Sequence, residues 1–117
     1  GNLIMIPIPV IHGNMEVYGW RCGPVAYITD ASSIPETSYQ LLENLEILVL
    51  GALHFDPHPT HFSVPRALDE IKKIRPARAY LTHISHEASH RKIIRAVPRG
   101  VSPARDGLKL RALWNRD

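Results

Sequence analysis

A lone cysteine in 117 residues excludes a disulfide framework and a cysteine-rich zinc ribbon, and it fits a reducing, cytoplasmic compartment. Long apolar runs are lacking too, since none approaches the roughly 18 residues that a membrane span requires. The apolar opening GNLIMIPIPVI has no basic leader region and carries two prolines, which makes it a poor signal peptide and a better strand. No Walker A loop, dinucleotide fingerprint or G-x-S-x-G elbow occurs, so phosphate-loop and serine-hydrolase chemistry have no support. Cys22 has no neighbouring His or Cys to activate it as a nucleophile. Basic residues are scarce early in the chain: residues 1–65 hold one against six acidic, whereas residues 66–117 hold thirteen against five. The basic excess is scattered through helical and strand patterns without a nucleic-acid-binding motif. A solvated basic face is therefore the expectation, and nucleic acid is not the expected partner.

What the chain does have is an apolar fraction of 44%, enough for one small core, and seven histidines. Residues 3–10 alternate strictly, with Ile4, Ile6, Ile8 and Val10 on one side and Leu3, Met5, Pro7 and Pro9 on the other. Pro7 and Pro9 delete donors along the same edge, which predicts an edge strand or full pairing on one side only. His12-Gly13-Asn14 reads as a turn, residues 16–21 as the returning strand, and Gly23-Pro24 as a second turn leading to a strand over 25–29 that ends at Asp30. Pro35 predicts the start of a helix through about Asn44. Residues 47–50 form a continuous apolar run, the pattern of a strand covered on both faces. Ser63 is a good N-cap for a helix whose Val64, Ala67, Leu68, Ile71 and Ile74 share one side. A strand over 79–82 runs into His83, a helical pattern returns around 89–96, and a strand over 108–114 closes the chain. Three strands followed by alternating helices and strands predict an α/β domain with a mixed sheet, its right-handed crossovers placing the helices on one face. The other face, assigned here to the Ile4, Ile6, Ile8 and Val10 side, then lacks a partner layer.

Four polar spots share one placement. His12, Asp30, the loop from His54 to His61, and His83 each follow the C-terminal end of a predicted strand. In α/β sheets ligand sites gather on that rim. Imidazole and carboxylate together suit a divalent ion such as zinc, manganese or iron.

The stretches YITDASSIP, HPTHFS and RAYLTHISHE together resemble the C-terminal half of a metallo-β-lactamase-fold hydrolase. Within that superfamily they are most similar to the branch of the carbon–phosphorus-lyase-associated cyclic phosphodiesterase. The resemblance runs from about Ile6 through His86, and the closing R-D-G-L-K-L also resembles the family's final strand. It implies one sheet and its helices from a four-layer αβ/βα sandwich. It also implies that His12, Asp30 and His83 are metal ligands, with Asp30 bridging two ions. His61 would protonate the leaving oxygen or hold the phosphate, and His58 in the same loop would orient it or contact substrate. His86 would serve a structural metal site. His54 and His90 read as surface residues.

One departure is large. The family signature H-x-H-x-D-H is absent, since no two histidines are spaced i, i+2. The expectation is therefore that residues 1–117 are the C-terminal half of a hydrolase whose parent uses two divalent ions, zinc or manganese, to split a small phosphodiester. The piece alone would hold zero or one ion and be inactive. Two alternatives stand beside this: a non-catalytic piece that hides its open sheet face against a second, domain-swapped or simply docked copy, and an RNA-processing, nuclease-like member of the superfamily.

Overall fold

The computed structural model describes residues 4–52, 60–82 and 97–104. The predicted helix over 89–96, the strand over 108–114, and the residues His54, His58, His83, His86 and His90 lie outside that set.

Two tight turns shape the first part of the chain. Gly13, at φ +67°, reverses strand β1 (Met5–His12) into β2 (Met15–Cys22), and Gly23, at φ +56°, reverses β2 into β3 (Val25–Ile28). A left-handed φ at these turns is cheap only for glycine. β1 starts and ends two residues later than the alternation suggests, so His12 is the last residue of the strand and not part of the turn. With β4 (Ile47–Gly51), β5 (Arg78–Thr82) and β6 (Val101–Pro103), the described residues form a six-stranded sheet in the order β1-β2-β3-β4-β5-β6. The first three strands pair antiparallel and β3 to β6 pair parallel, the mixed α/β sheet that the element order predicts. β1 lies at the sheet edge, where Pro7 and Pro9 cost no ladder bonds. All five residues of β4 are buried, as a continuous apolar run requires.

Register decides which face is covered. Ile8 pairs with Gly19 and Val10 with Val17; across the sheet Ala26 pairs with Leu48, Leu48 with Ala79, and Ala79 with Val101. This face packs against Leu42, Leu45, Phe62, Val64, Ala67 and Ile71 to form the core. The expectation that the Ile4, Ile6, Ile8 and Val10 side is the open one is thus overturned at Ile8 and Val10, at most 1% exposed, while Ile4 and Ile6 at the start of the strand stay exposed. The opposite face of β1 to β3 carries Met5, Tyr18, Trp20 and Tyr27, all exposed. Here Trp20 pairs with Pro7 on one side and Tyr27 on the other. Alternation showed two sides, and only the direction of the crossovers chose between them.

Two further corrections concern helices and the last strand. The segment after Pro35 is a 3₁₀ helix, Glu36–Leu42, not the α-helix expected through Asn44. Its ends are pinned: the Ser38 hydroxyl donates to the Pro9 carbonyl at 2.6 Å, and the Arg21 guanidinium donates to the Leu41 and Glu43 carbonyls at 3.0 and 2.6 Å. A 3₁₀ helix rises about 2.0 Å per residue against about 1.5 Å for an α-helix, so it spans more distance with the same residues. Helix α1 (Val64–Ile74) begins at Ser63 as predicted, the Ser63 hydroxyl accepting from the Arg66 N–H, and ends on a left-handed Arg75. β6 was not foreseen, because three residues carry no periodicity.

Candidate active site

The C-terminal ends of β1, β3 and β4 converge with the segment 60–62 that leads into α1. Each contact has a local cause. At β3, Gly51 of the neighbouring strand lets the chains touch: a Cβ on Gly51 would stand 2.0 Å from the Thr29 carbonyl oxygen. Thr29 is followed by Asp30, whose exposed carboxylate lies 3.4 Å from the Thr29 hydroxyl. The chain then turns across the end of β1. The Ser32 and Ser33 N–H groups donate to the Ile11 carbonyl at 2.7 and 3.3 Å, and the Ile11 N–H donates back to Ser33 at 3.0 Å. From the same segment the Ala31 carbonyl accepts the Phe62 N–H at 2.9 Å. Residues 30–33 are therefore a hub between the edge strand that carries His12 and the segment that carries His61.

His12 and His61, 49 positions apart in the chain, meet at this hub. Their ring centroids are 5.0 Å apart with planes inclined at 71°, an edge-to-face contact. His12 Nδ1 lies 2.9 Å from the Thr60 carbonyl oxygen. A carbonyl can only accept, so Nδ1 carries a proton, and in the neutral ring Nε2 then keeps its lone pair. This is the form in which a histidine ligates a metal ion, with the outer nitrogen tied to a carbonyl. The exposed Asp30 carboxylate is a hard oxygen donor of the kind such an ion takes. The donor chemistry of His12 and Asp30 thus fits a divalent cation. Among the described residues, no three His, Cys, Asp or Glu side chains gather closely enough to hold an ion by themselves. Of the sequence-predicted site residues, the structure brings His12 and His61 together and places Asp30 just past the end of β3, two strands from β1. His58, His83 and His86 lie outside the described residues, although β5 ends at Thr82 beside β4, where the Ala52 N–H donates to the Thr82 carbonyl at 2.9 Å.

Sequence reasoning passed over the groups that hold this arrangement. Ser32 and Thr60 bond to partners 19 to 48 residues away, and Gly51 is needed for a contact with β3. No local pattern announces such pairings. A serine two residues beyond a strand-end Asp is a weak pointer at most.

The comparisons with known proteins bear on the family and the fold. A diphosphatase from the PhnP family superimposes with a TM-score of 0.91 at 45% identity, over 94% of this chain and 44% of that one. The metallo-beta-lactamase fold protein YhfI from Bacillus subtilis superimposes with a TM-score of 0.75 at 22% identity, over 92% of this chain and 49% of that protein. The short form of human tRNase Z gives 0.69 at 17% identity, over 91% of this chain and 42% of its own. The last two are likenesses of fold. An octanoyltransferase of Porphyromonas gingivalis is 27% identical over 110 residues, 92% of this chain but 22% of that protein. The chain thus spans less than half the length of these relatives. The family model described as a beta-lactamase superfamily domain matches residues 1–84. With the mixed sheet, and with the two described helices packed on the same face of it, the chain belongs to the beta-lactamase superfamily, in its metallo-β-lactamase fold.

Proposed function

We propose that this chain is the C-terminal half of a metal-dependent hydrolase that cleaves a small phosphodiester, and that it is inactive alone. The observation that supports this best is the likeness to a PhnP-family diphosphatase along nearly the whole chain, at a site where His12 is held in its ligating tautomer beside His61. His12 through Nε2, Asp30 through a carboxylate oxygen and His83 would hold divalent metal, zinc or manganese, with further ligands supplied by the rest of the parent. When bound, such an ion acts as a Lewis acid that acidifies water and offsets charge on the phosphoryl oxygens. His61, at the mouth of α1, would protonate the departing oxygen, and His58 would help to seat the phosphate. Imidazole is suited to that task because it can give up a proton near neutral pH. The exposed face of Met5, Tyr18, Trp20 and Tyr27 is where the other half of the parent would dock; in the chain alone a second copy takes that place.

A second reading, cleavage of a diphosphate bond, is favoured by what the structurally similar enzyme is called. Both are tested together by loading the full-length parent with zinc or manganese and offering it a bis-aryl phosphodiester, a cyclic phosphodiester and a diphosphate. Turnover of one of these by the parent, with none by the chain alone, is the expected result. His61→Ala should lower kcat by about 10²- to 10⁴-fold, the usual share of a general acid. Undiminished activity in Asp30→Ala and His83→Ala would refute the assignment.

A further inference from the structure

We propose that Ser32 is a positioning residue for His12, holding the peptide units on both sides of that histidine and so tying its place to the Asp30 segment. The inference rests on the reading of His12 as a ligand for its purpose, but on contacts of its own for its content. The Ser32 hydroxyl donates to the Ile11 carbonyl at 3.2 Å and accepts the Gly13 N–H at 3.1 Å. A hydroxyl can do both at once. Ile11 and Gly13 flank His12, so one side chain grips the backbone immediately before and after it.

The grip matters because of where His12 sits. It is the last residue of an edge strand whose one full ladder among the described residues is with β2, backed on the other side by the single Ile11–Ser33 bridge, next to a turn. Strand ends of this kind fray first, since they have few partners. The Ser32 side chain adds to the backbone bridge at Ile11 and carries it past His12 to Gly13. The ring is held separately: Thr60 accepts from Nδ1 with its carbonyl, and its methyl group closes over Gly13, 3.2 Å from where a Cβ on that residue would stand. With the backbone loosened, His12 would drift from the Thr60 carbonyl and the other tautomer, with the proton on Nε2, would become populated. That tautomer cannot ligate through Nε2. Asp30 lies two residues before Ser32, so the same serine keeps the imidazole and the carboxylate in a fixed relation.

The test reads the imidazole nitrogens of His12 by ¹⁵N NMR and zinc affinity by calorimetry, in wild type, Ser32→Ala, Ser32→Thr and the control Ser33→Ala. Wild type, Ser32→Thr and Ser33→Ala should show the Nδ1–H tautomer, and Ser32→Ala a mixture. Zinc affinity should fall about 10- to 100-fold in Ser32→Ala, the range seen when the support of a ligand is removed. A merely structural serine would lower the melting temperature of Ser32→Ala and leave the tautomer unchanged; that result overturns the proposal. If the full-length parent binds no zinc but Ser32→Ala still shifts the tautomer, the metal reading fails and the positioning role stands. Should Ser32→Ala not fold, hydrogen exchange in the wild type decides. A slowly exchanging Gly13 amide supports the grip, and an unprotected one overturns it.

Discussion

Glu70 is a carboxylate only 3% exposed, held on α1 between the Arg66 guanidinium at 3.1 Å and the Tyr39 hydroxyl that donates to it. Burial raises the Tyr39 pKa well above its ordinary value of 10.0, and the bond to the Glu70 carboxylate raises it further. The sign follows from linkage: the folded chain holds this proton more tightly than the unfolded chain, so the contribution is complete below about pH 10 and is lost as the pH rises beyond it. Urea denaturation across pH 8 to 11.5 should show an alkaline loss of stability that Tyr39→Phe reduces. At pH 7 the same substitution should cost about 1.5–3 kcal/mol, because it takes a donor from a buried charge. A second residue-scale prediction concerns Gly51. Alanine there cannot fit against the Thr29 carbonyl, so Gly51→Ala should cost roughly 1–3 kcal/mol or more by thermal melting, the usual toll of overpacking. Neither feature was legible in the sequence. Tyr39 and Glu70 are 31 positions apart, and Gly51 looks like an ordinary strand end until β3 lies beside it.

At the scale of elements, α1 was legible almost to the residue, because capping and periodicity are local. Ser63 is its N-cap, Pro65 falls in its first turn, and Val64, Ala67 and Ile71 are buried in one stripe. Ser63→Ala should cost about 1 kcal/mol by chemical denaturation. The same cap sits two residues past His61, so it also fixes where the site segment joins the helix. The 3₁₀ helix was not legible, since its form depends on partners elsewhere. Arg21, on β2, donates to the Gly23, Leu41 and Glu43 carbonyls and ties the end of that helix to the second turn. Arg21→Met keeps much of the stem and removes these bonds. It should lower stability by about 1–3 kcal/mol, measured by urea midpoint, and loosen the segment from Glu36 to Asn44 in hydrogen exchange.

For the molecule as a whole, the exposed face of the sheet sets solution behaviour. Tyr18, Trp20 and Tyr27 are 43–54% exposed on neighbouring strands, a patch of the kind that seeks a partner. Light scattering should find the chain self-associated, and Trp20→Lys with Tyr27→Lys should make it monomeric without unfolding it. A monomeric wild type would remove the second copy as the cover of this face. By itself the sequence determined β1 to β5, the capped helix, the edge position of β1 and the family to which the chain belongs. Each rests on local physics or on motifs readable in line: alternation, missing proline donors, an N-cap, the spacing of T-H-I-S-H from His61. Which face is covered, which helix is 3₁₀, and the meeting of His12 with His61 through Thr60 and Ser32 were decided only by tertiary structure. These depend on pairings between residues tens of positions apart, and period-2 and period-3.6 patterns are blind to such distances.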